Sequence, residues 1–290
     1  LSLRTAVPLA AVVVVVALVV WAISLAASGG CSAQQDGPAT DSPEVELTAE
    51  QLADAADAQL LASFANPYDW DGLADEGGRM VYYEDGQVAS QTGVDVSEHQ
   101  GWIDWNAVAG DGVDFAYVRV GNRGFTEGVV SVDDYFEYNL GAASEAGLDV
   151  GAYFFSQAVN ADEAREEAQF VIDQLNGREL ALPIAYDHEL VAAEGARANA
   201  VDRATMTECA KAFCDAVEAA GYSAVIYGNL HDLTRYHLSQ LTAYPLWLAE
   251  YDVAAPTAPL SIVMWQYTSS GTVAGIDGAV DMNVRFTGAL

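Results

Sequence analysis

Basic side chains are scarce in this chain of 290 residues, with 11 Lys and Arg against 42 Asp and Glu and a formal net charge of −31. A surface of that sign repels nucleic acid and anionic lipid. That excludes a nucleic-acid partner and confines membrane contact to whatever apolar segment the chain carries. Cysteine is nearly absent, at 3 residues, so no disulfide framework can be drawn. Cys209 and Cys214 are the only close pair. On a helix their spacing sets them about 140° apart around the axis and about 7.5 Å along it, so they do not face each other. Histidine is scarce as well. His99, His188, His231 and His237 show no zinc-type spacing in company with acids, and no metal site is expected. Most of the carboxylates belong to a solvated surface, so position in the fold must single out any that do chemistry.

Residues 6–27 are apolar and uncharged, long enough to cross a bilayer as a helix. Arg4 precedes them and the next forty residues hold no Lys or Arg, which puts the amino terminus in the cytoplasm and the rest outside. Residues 1–30 are therefore expected to be a membrane anchor, with a cleaved signal segment as the alternative. Cys31 offers a lipoprotein reading, weakened by Ser28 where an aliphatic residue normally stands. Residues 31–91 read as a spacer and packing extension without catalytic content. The stretch 32–46 is polar and rich in turn formers, Thr48 with Gln51 forms a capping box ahead of a helix to about Ala65, and Met80 to Gln91 reads as a hairpin turning at Asp85-Gly86.

From residue 92 to 290 short apolar runs alternate with amphipathic stretches. Eight strands are expected: Val94 to Ser97, Phe115 to Val120, Val150 to Phe155, Leu182 to Asp187, Ala224 to Tyr227, Leu246 to Ala249, Ile262 to Tyr267 and Val280 to Asn283. Asn160 with Glu163 caps a helix carrying Ala164, Ala168, Val171 and Leu175 on one face, and Thr205 with Glu208 opens another that Gly221 closes. Such alternation predicts an α/β fold, a TIM-like (β/α) barrel. Too few residues, with Pro256 and Pro259 among them, join the strands at Trp247 and Trp265 for a crossover helix, so the barrel should be irregular with an incomplete helical ring.

In parallel barrels functional groups collect at the carboxyl ends of strands. Four acids qualify: Asp95 on the first strand, Asp187 and Glu189 ending the fourth, and Asp281 on the last. Period-two alternation turns Asp187 and Glu189 to one face and His188 to the other, and barrel closure makes Asp95 and Asp281 neighbours. Several carboxylates at one mouth suit glycoside hydrolysis, which needs one protonated carboxyl to donate to the leaving oxygen and one ionised to support positive charge at the anomeric carbon.

The segment Gly93-Val94-Asp95-Val96-Ser97-Glu98-His99-Gln100-Gly101, followed by Ile103-Asp104-Trp105, resembles the opening of glycoside hydrolase family 25, the fungal- and phage-type lysozymes. Phe115 to Arg119, Gly151 to Phe154, Asp187-His188-Glu189, Leu246 to Ala249 with Tyr251, Trp265-Gln266-Tyr267 and Val280 to Asn283 match its further landmarks in order. The resemblance covers roughly 92 to 286. It implies an N-acetylmuramidase, acting as a monomer without a cofactor on peptidoglycan glycan strands outside the cell. By position, Glu189 resembles the general acid, Asp187 the assisting carboxylate, and Asp95 and Asp281 the supporting acids. Tyr153, Trp247 and Tyr251 resemble sugar platforms, with Trp265 and Gln266 nearby. A tryptophan on a barrel strand is as readily core as platform. A catalytically dead wall-binding module would have lost one of the acids, and a metal-dependent amidase would need a His/Asp cluster.

Overall fold

The computed structural model describes residues 48–287. The apolar run 6–27, Cys31 and the spacer at 32–46 lie outside the described residues. Among the described residues no helix is long and apolar enough to cross a membrane. The chain divides after Ala62 into two units. In the first, Thr48 and Gln51 exchange the two bonds of the capping box, Thr48 N–H to Gln51 Oε1 at 2.9 Å and Gln51 N–H to Thr48 Oγ1 at 3.2 Å. They open helix α1, Ala49–Ala62, which stops three residues short of the expected Ala65.

The second unit begins with a small antiparallel sheet of β1 (Leu73–Asp75), β2 (Met80–Glu84) and β3 (Gln87–Val88). Asp85 and Gly86, at φ 52° and 74°, make the tight hairpin turn that an Asp-Gly pair adopts. The rings of Tyr68, Trp70 and Tyr82 gather on Phe286 at centroid distances of 4.3, 5.4 and 5.5 Å, and Tyr68 donates its hydroxyl to the Ile262 carbonyl at 2.8 Å. These contacts seat the extension against the end of the barrel's last strand.

All eight expected strands form and close a barrel. In chain order the unit runs β4 (Ser90–Val96), α2 (Trp105–Gly110), β5 (Phe115–Arg123), β6 (Val130–Val132), α3 (Phe136–Glu145), β7 (Asp149–Phe155) and α4 (Ala161–Leu175). It continues with β8 (Ile184–Asp187), α5 (Arg203–Ala219), β9 (Ala224–Asn229), α6 (Leu230–Leu233), β10 (Leu246–Ala249), β11 (Ile262–Gly271) and β12 (Val280–Phe286). The strand order β4-β12-β11-β10-β9-β8-β7-β5 is closed by β4 pairing with β5, and β6 hangs on β5. Helices follow only the earlier strands. Residues 250–261 join β10 to β11 without one, yet the two strands are parallel. The link from β11 to β12, at 272–279, is too short for any crossover, so β12 runs antiparallel to both neighbours. The alternation alone favours a parallel sheet, and β12 departs from it in the last third of the chain, where the irregularity was expected.

One helix start also differs. Helix α5 begins at Arg203 and is capped by Asp202, whose carboxylate accepts the Thr205 N–H at 2.8 Å, so Thr205 lies inside the first turn. Ala164, Ala168, Val171 and Leu175 of α4 are buried as their spacing predicts. Cys209 and Cys214 are buried free thiols on α5. The barrel interior is filled by side chains including Phe115, Tyr117, Tyr227, Trp247 and Met264. A Cβ at Gly93 would stand 2.2 Å from the Phe115 ring and one at Gly151 2.6 Å from Tyr117, so both positions need glycine for the floor of the mouth to close.

Candidate active site

The barrel register brings the four acids together. Asp95, near the carboxyl end of β4, pairs directly with Asp281 of β12. Because β12 is antiparallel, Asp281 reaches the mouth from the amino end of its strand, the reverse of the carboxyl-end rule that selected it. Asp187 is the last residue of β8. Glu189 lies just beyond, and the alternation continues past the strand end. His188 turns inward, fully buried, its Nε2 donating to the Ala158 carbonyl at 3.0 Å. Burial holds that imidazole neutral, at about 4. Asp95, Asp187, Glu189 and Asp281 line one cleft of about 320 Å³ with Ser97, His99, Gln100, Arg119, Tyr153, Phe155, Tyr227, Trp247 and Gln266.

Amide donors orient Asp95. Its Oδ2 accepts Gln266 Nε2 at 2.8 Å and Asn283 Nδ2 at 2.7 Å. Both donors are set in turn: Trp247 Nε1–H donates to Asn283 Oδ1 at 2.9 Å, and the hydroxyls of Tyr227 (2.8 Å) and Tyr251 (2.5 Å) donate to Gln266 Oε1. With their carbonyl oxygens taken, both amides can present only N–H to Asp95. Asp281 also hydrogen-bonds Asp95, and that bond favours a proton on Asp281. Asp187 and Glu189 form the second bonded pair.

Burial pushes all four carboxyls upward and repulsion between them adds to it at Asp187, Glu189 and Asp281, taking Glu189 to about 7 and Asp281 to about 8, with Asp187 well above its ordinary range and Asp95 raised by burial despite its donors. Arg119 lines the cleft, but Glu98 at 2.9 Å and Asp133 at 2.8 Å engage its charge. The four acids therefore cannot all ionise near neutral pH, and each bonded pair shares a proton. The Asp187–Glu189 bond favours the proton on Asp187, the reverse of what the resemblance implies for the resting site. Asp187 Oδ1 is buried and has no hydrogen-bond partner among the described residues.

The aromatic residues separate into two groups. Tyr153 is half-buried on the cleft wall and Tyr251 is 40% exposed at its rim. Trp247 is 2% exposed, packed between Tyr117 at 4.5 Å and Tyr227 at 4.8 Å, so it acts as floor and as donor to Asn283 more than as an open platform. Trp265, expected near the sugar platforms, is fully buried, donates to the Glu250 carbonyl at 2.8 Å and does not line the cleft. Sequence reasoning passed over Arg119 and Asn283 although both fall inside quoted motifs. It also missed Tyr227, which the carboxyl-end rule for β9 could have found.

The family model described as glycosyl hydrolases family 25 matches residues 94–276. The autolytic lysozyme of Clostridium acetobutylicum is 28% identical over 198 residues, which cover 68% of this chain and 56% of that protein. Lysozyme M1 of Streptomyces globisporus is 30% identical over 209 residues, 68% of each chain. Among solved structures, the modular autolysin LytC of Streptococcus pneumoniae, determined with a synthetic peptidoglycan ligand, superposes with a TM-score of 0.61 at 25% identity, over 74% of this chain and 52% of that one. The matched region covers about half the length of the clostridial enzyme (56%) and of LytC (52%).

Proposed function

The chain belongs to glycosyl hydrolase family 25, and from that premise we propose that it is a peptidoglycan hydrolase, an N-acetylmuramidase cutting the β-1,4 bond between N-acetylmuramic acid and N-acetylglucosamine. The observation that carries the reading is the meeting of Asp95, Asp187, Glu189 and Asp281 in one cleft as two bonded pairs.

Glu189, raised to about 7, is the general acid. Asp187 Oδ1, buried without a partner among the described residues, suits a donor that the substrate brings, the N–H of the 2-acetamido group. That donor stabilises ionised Asp187 and leaves the shared proton on Glu189. Glu189 then protonates the leaving oxygen as the glycosidic bond breaks, and the acetamido carbonyl oxygen closes on the anomeric carbon to give an oxazolinium ion. Glu189, now a base, takes a proton from water, which opens the ring with net retention. Asp95 and Asp281 hold charge and orientation beneath the sugar, and Tyr153 and Tyr251 contact it. One chain supplies the full set of acids, which supports action as a monomer. The composition of residues 6–27 supports tethering outside the membrane, tested by whether the protein fractionates with membranes and keeps its first residues.

Mass spectrometry of fragments released from purified peptidoglycan tests the activity. Reducing-end N-acetylmuramic acid is expected, whereas reducing-end N-acetylglucosamine or free peptide amines would overturn the reading. NMR in the first moments of reaction tests the stereochemistry: β anomer first is expected, and α anomer first would mean inversion.

A further inference from the structure

Glu189 presents a structural problem. The ladder that orients β8 ends at Asp187, so the proposed acid stands on irregular backbone two residues past the last regular hydrogen bond. A side chain there would wander unless something else held the backbone, and a displacement of about 1 Å is enough to cost a proton donor about a hundredfold in rate.

One further backbone bond and then side chains continue the ladder. On the side of β7, Ser156 N–H donates to the Asp187 carbonyl at 2.7 Å and His188 Nε2 to the Ala158 carbonyl at 3.0 Å. Between these two, Gln157 Nε2 donates to the Glu189 carbonyl at 3.0 Å. The same amide gives its other hydrogen to the Ser156 carbonyl at 2.9 Å, so both acceptors require nitrogen at this position. Gln157 is fully buried. On the side of β9, the next N–H, that of Leu190, donates to Asp232 Oδ1 at 3.2 Å. Asp232 is 2% exposed and is held by Asn229 Nδ2 at 2.5 Å and by Arg235 at 3.3 Å. The Glu189 carbonyl and the Leu190 N–H belong to one peptide unit. That unit is gripped at both ends by buried side chains from the two neighbouring strand ends.

We propose that Gln157 and Asp232 are positioning residues for Glu189, standing in for the backbone ladder where the strand has ended and fixing the peptide that aims the acid into the cleft. The inference rests on the muramidase reading for its catalytic consequence, while the grip itself is a matter of geometry. Asp232 has a second effect. The groups facing Glu189 are Asp187, Asp95, Asp281 and Asp232, and among them Asp232 acts from outside the bonded pairs, raising both Glu189 and Asp187 and so helping to hold the proton that this pair shares. Arg119 is engaged by Glu98 and Asp133, and Arg235 by Asp232 itself.

Three measurements on wild type, Gln157→Leu and Asp232→Asn test the proposal: release of reducing ends from purified peptidoglycan across pH, hydrogen exchange of the Leu190 amide, and ¹³C titration of the Glu189 carboxyl. Gln157→Leu should lower kcat ten- to a hundredfold with KM within twofold, and speed Leu190 exchange at least tenfold while barrel amides keep their protection. Asp232→Asn should move both the Glu189 titration and the basic limb of the rate profile down by at least half a pH unit. Should Asp232→Asn fail to fold, Gln157→Leu with the exchange measurement decides alone. Unchanged Leu190 exchange with kcat within twofold of wild type overturns the proposal, as does a loss of activity that only tracks a fall in Tm. A wild type that releases no reducing ends counts against the muramidase reading, and exchange and titration still decide the positioning.

Discussion

Glu189 and Asp187 differ by one methylene and stand two positions apart, yet their surroundings ask different things of them. Glu189 must be protonated to act as the acid, so activity should fall as pH rises through about 7. Glu189→Gln keeps the shape and removes the acid, and wall hydrolysis should drop by about 10²–10⁴ with the circular dichroism spectrum unchanged. Appreciable turnover by the folded variant would remove Glu189 from its role. Trp247 tests the supporting network. Trp247→Phe retains most of the ring packing but deletes the N–H that holds Asn283, freeing that amide to rotate off Asp95. A roughly tenfold loss of kcat is expected, with a stability cost of about 1 kcal/mol for one lost hydrogen bond. Steady-state kinetics and a denaturant titration of the same sample check both figures.

The strands that carry these acids are placed by two devices, a short link and an absent side chain. The link 272–279 forces β12 to return antiparallel, which carries Asp281 to the mouth beside Asp95. The absent side chain is that of Gly93, where β4 crosses the Phe115 ring directly below the acids. Gly93→Ala inserts a methyl group 2.2 Å from that ring, so ring or strand must shift. The expected cost is about 1–3 kcal/mol, read from the denaturant midpoint, together with lower kcat because Asp95 lies two residues on. A Gly93→Ala protein of wild-type stability would show that the floor has room that its geometry denies.

Taken together, the raised carboxyls link the stability of the protein to pH. In the unfolded chain Glu and Asp titrate near 4, whereas Glu189 and Asp281 rise to about 7 and about 8 in the fold. Glu167, buried against Arg123 and Ser156, rises to about 7 and adds the same sign. Between those limits the folded state binds more protons than the unfolded state. Stability is therefore greatest on the acid side of the window and is lost as pH rises from about 4 to about 8. Tm should be higher at pH 5 than at pH 8. Glu189→Gln, which has no charge to bury, should raise Tm at pH 8 and leave it unchanged near pH 4. A gain of about 2–4 °C per kcal/mol is the scale to look for by calorimetry, and an equal change at both pH values would count against the linkage.

The sequence alone determined the eight strands, the turn at Asp85-Gly86, the buried face of α4 and the four acids. Each of these follows from local periodicity, turn chemistry or motif order, which are written into neighbouring residues. The facing of Asp187 and Glu189 was legible for the same reason, since alternation depends only on spacing. Tertiary structure decided the rest. The short link at 272–279 dictates the direction of β12 only because closure seats that strand directly beside β11, between it and β4. Whether Trp247 and Trp265 meet the cleft depends on which way each strand face turns after closure. The grip of Gln157 and Asp232 on the Glu189 peptide joins residues 32 and 42 positions apart along the chain. Sequence patterns report what neighbours along the chain share, and these pairings exist only once the barrel has closed.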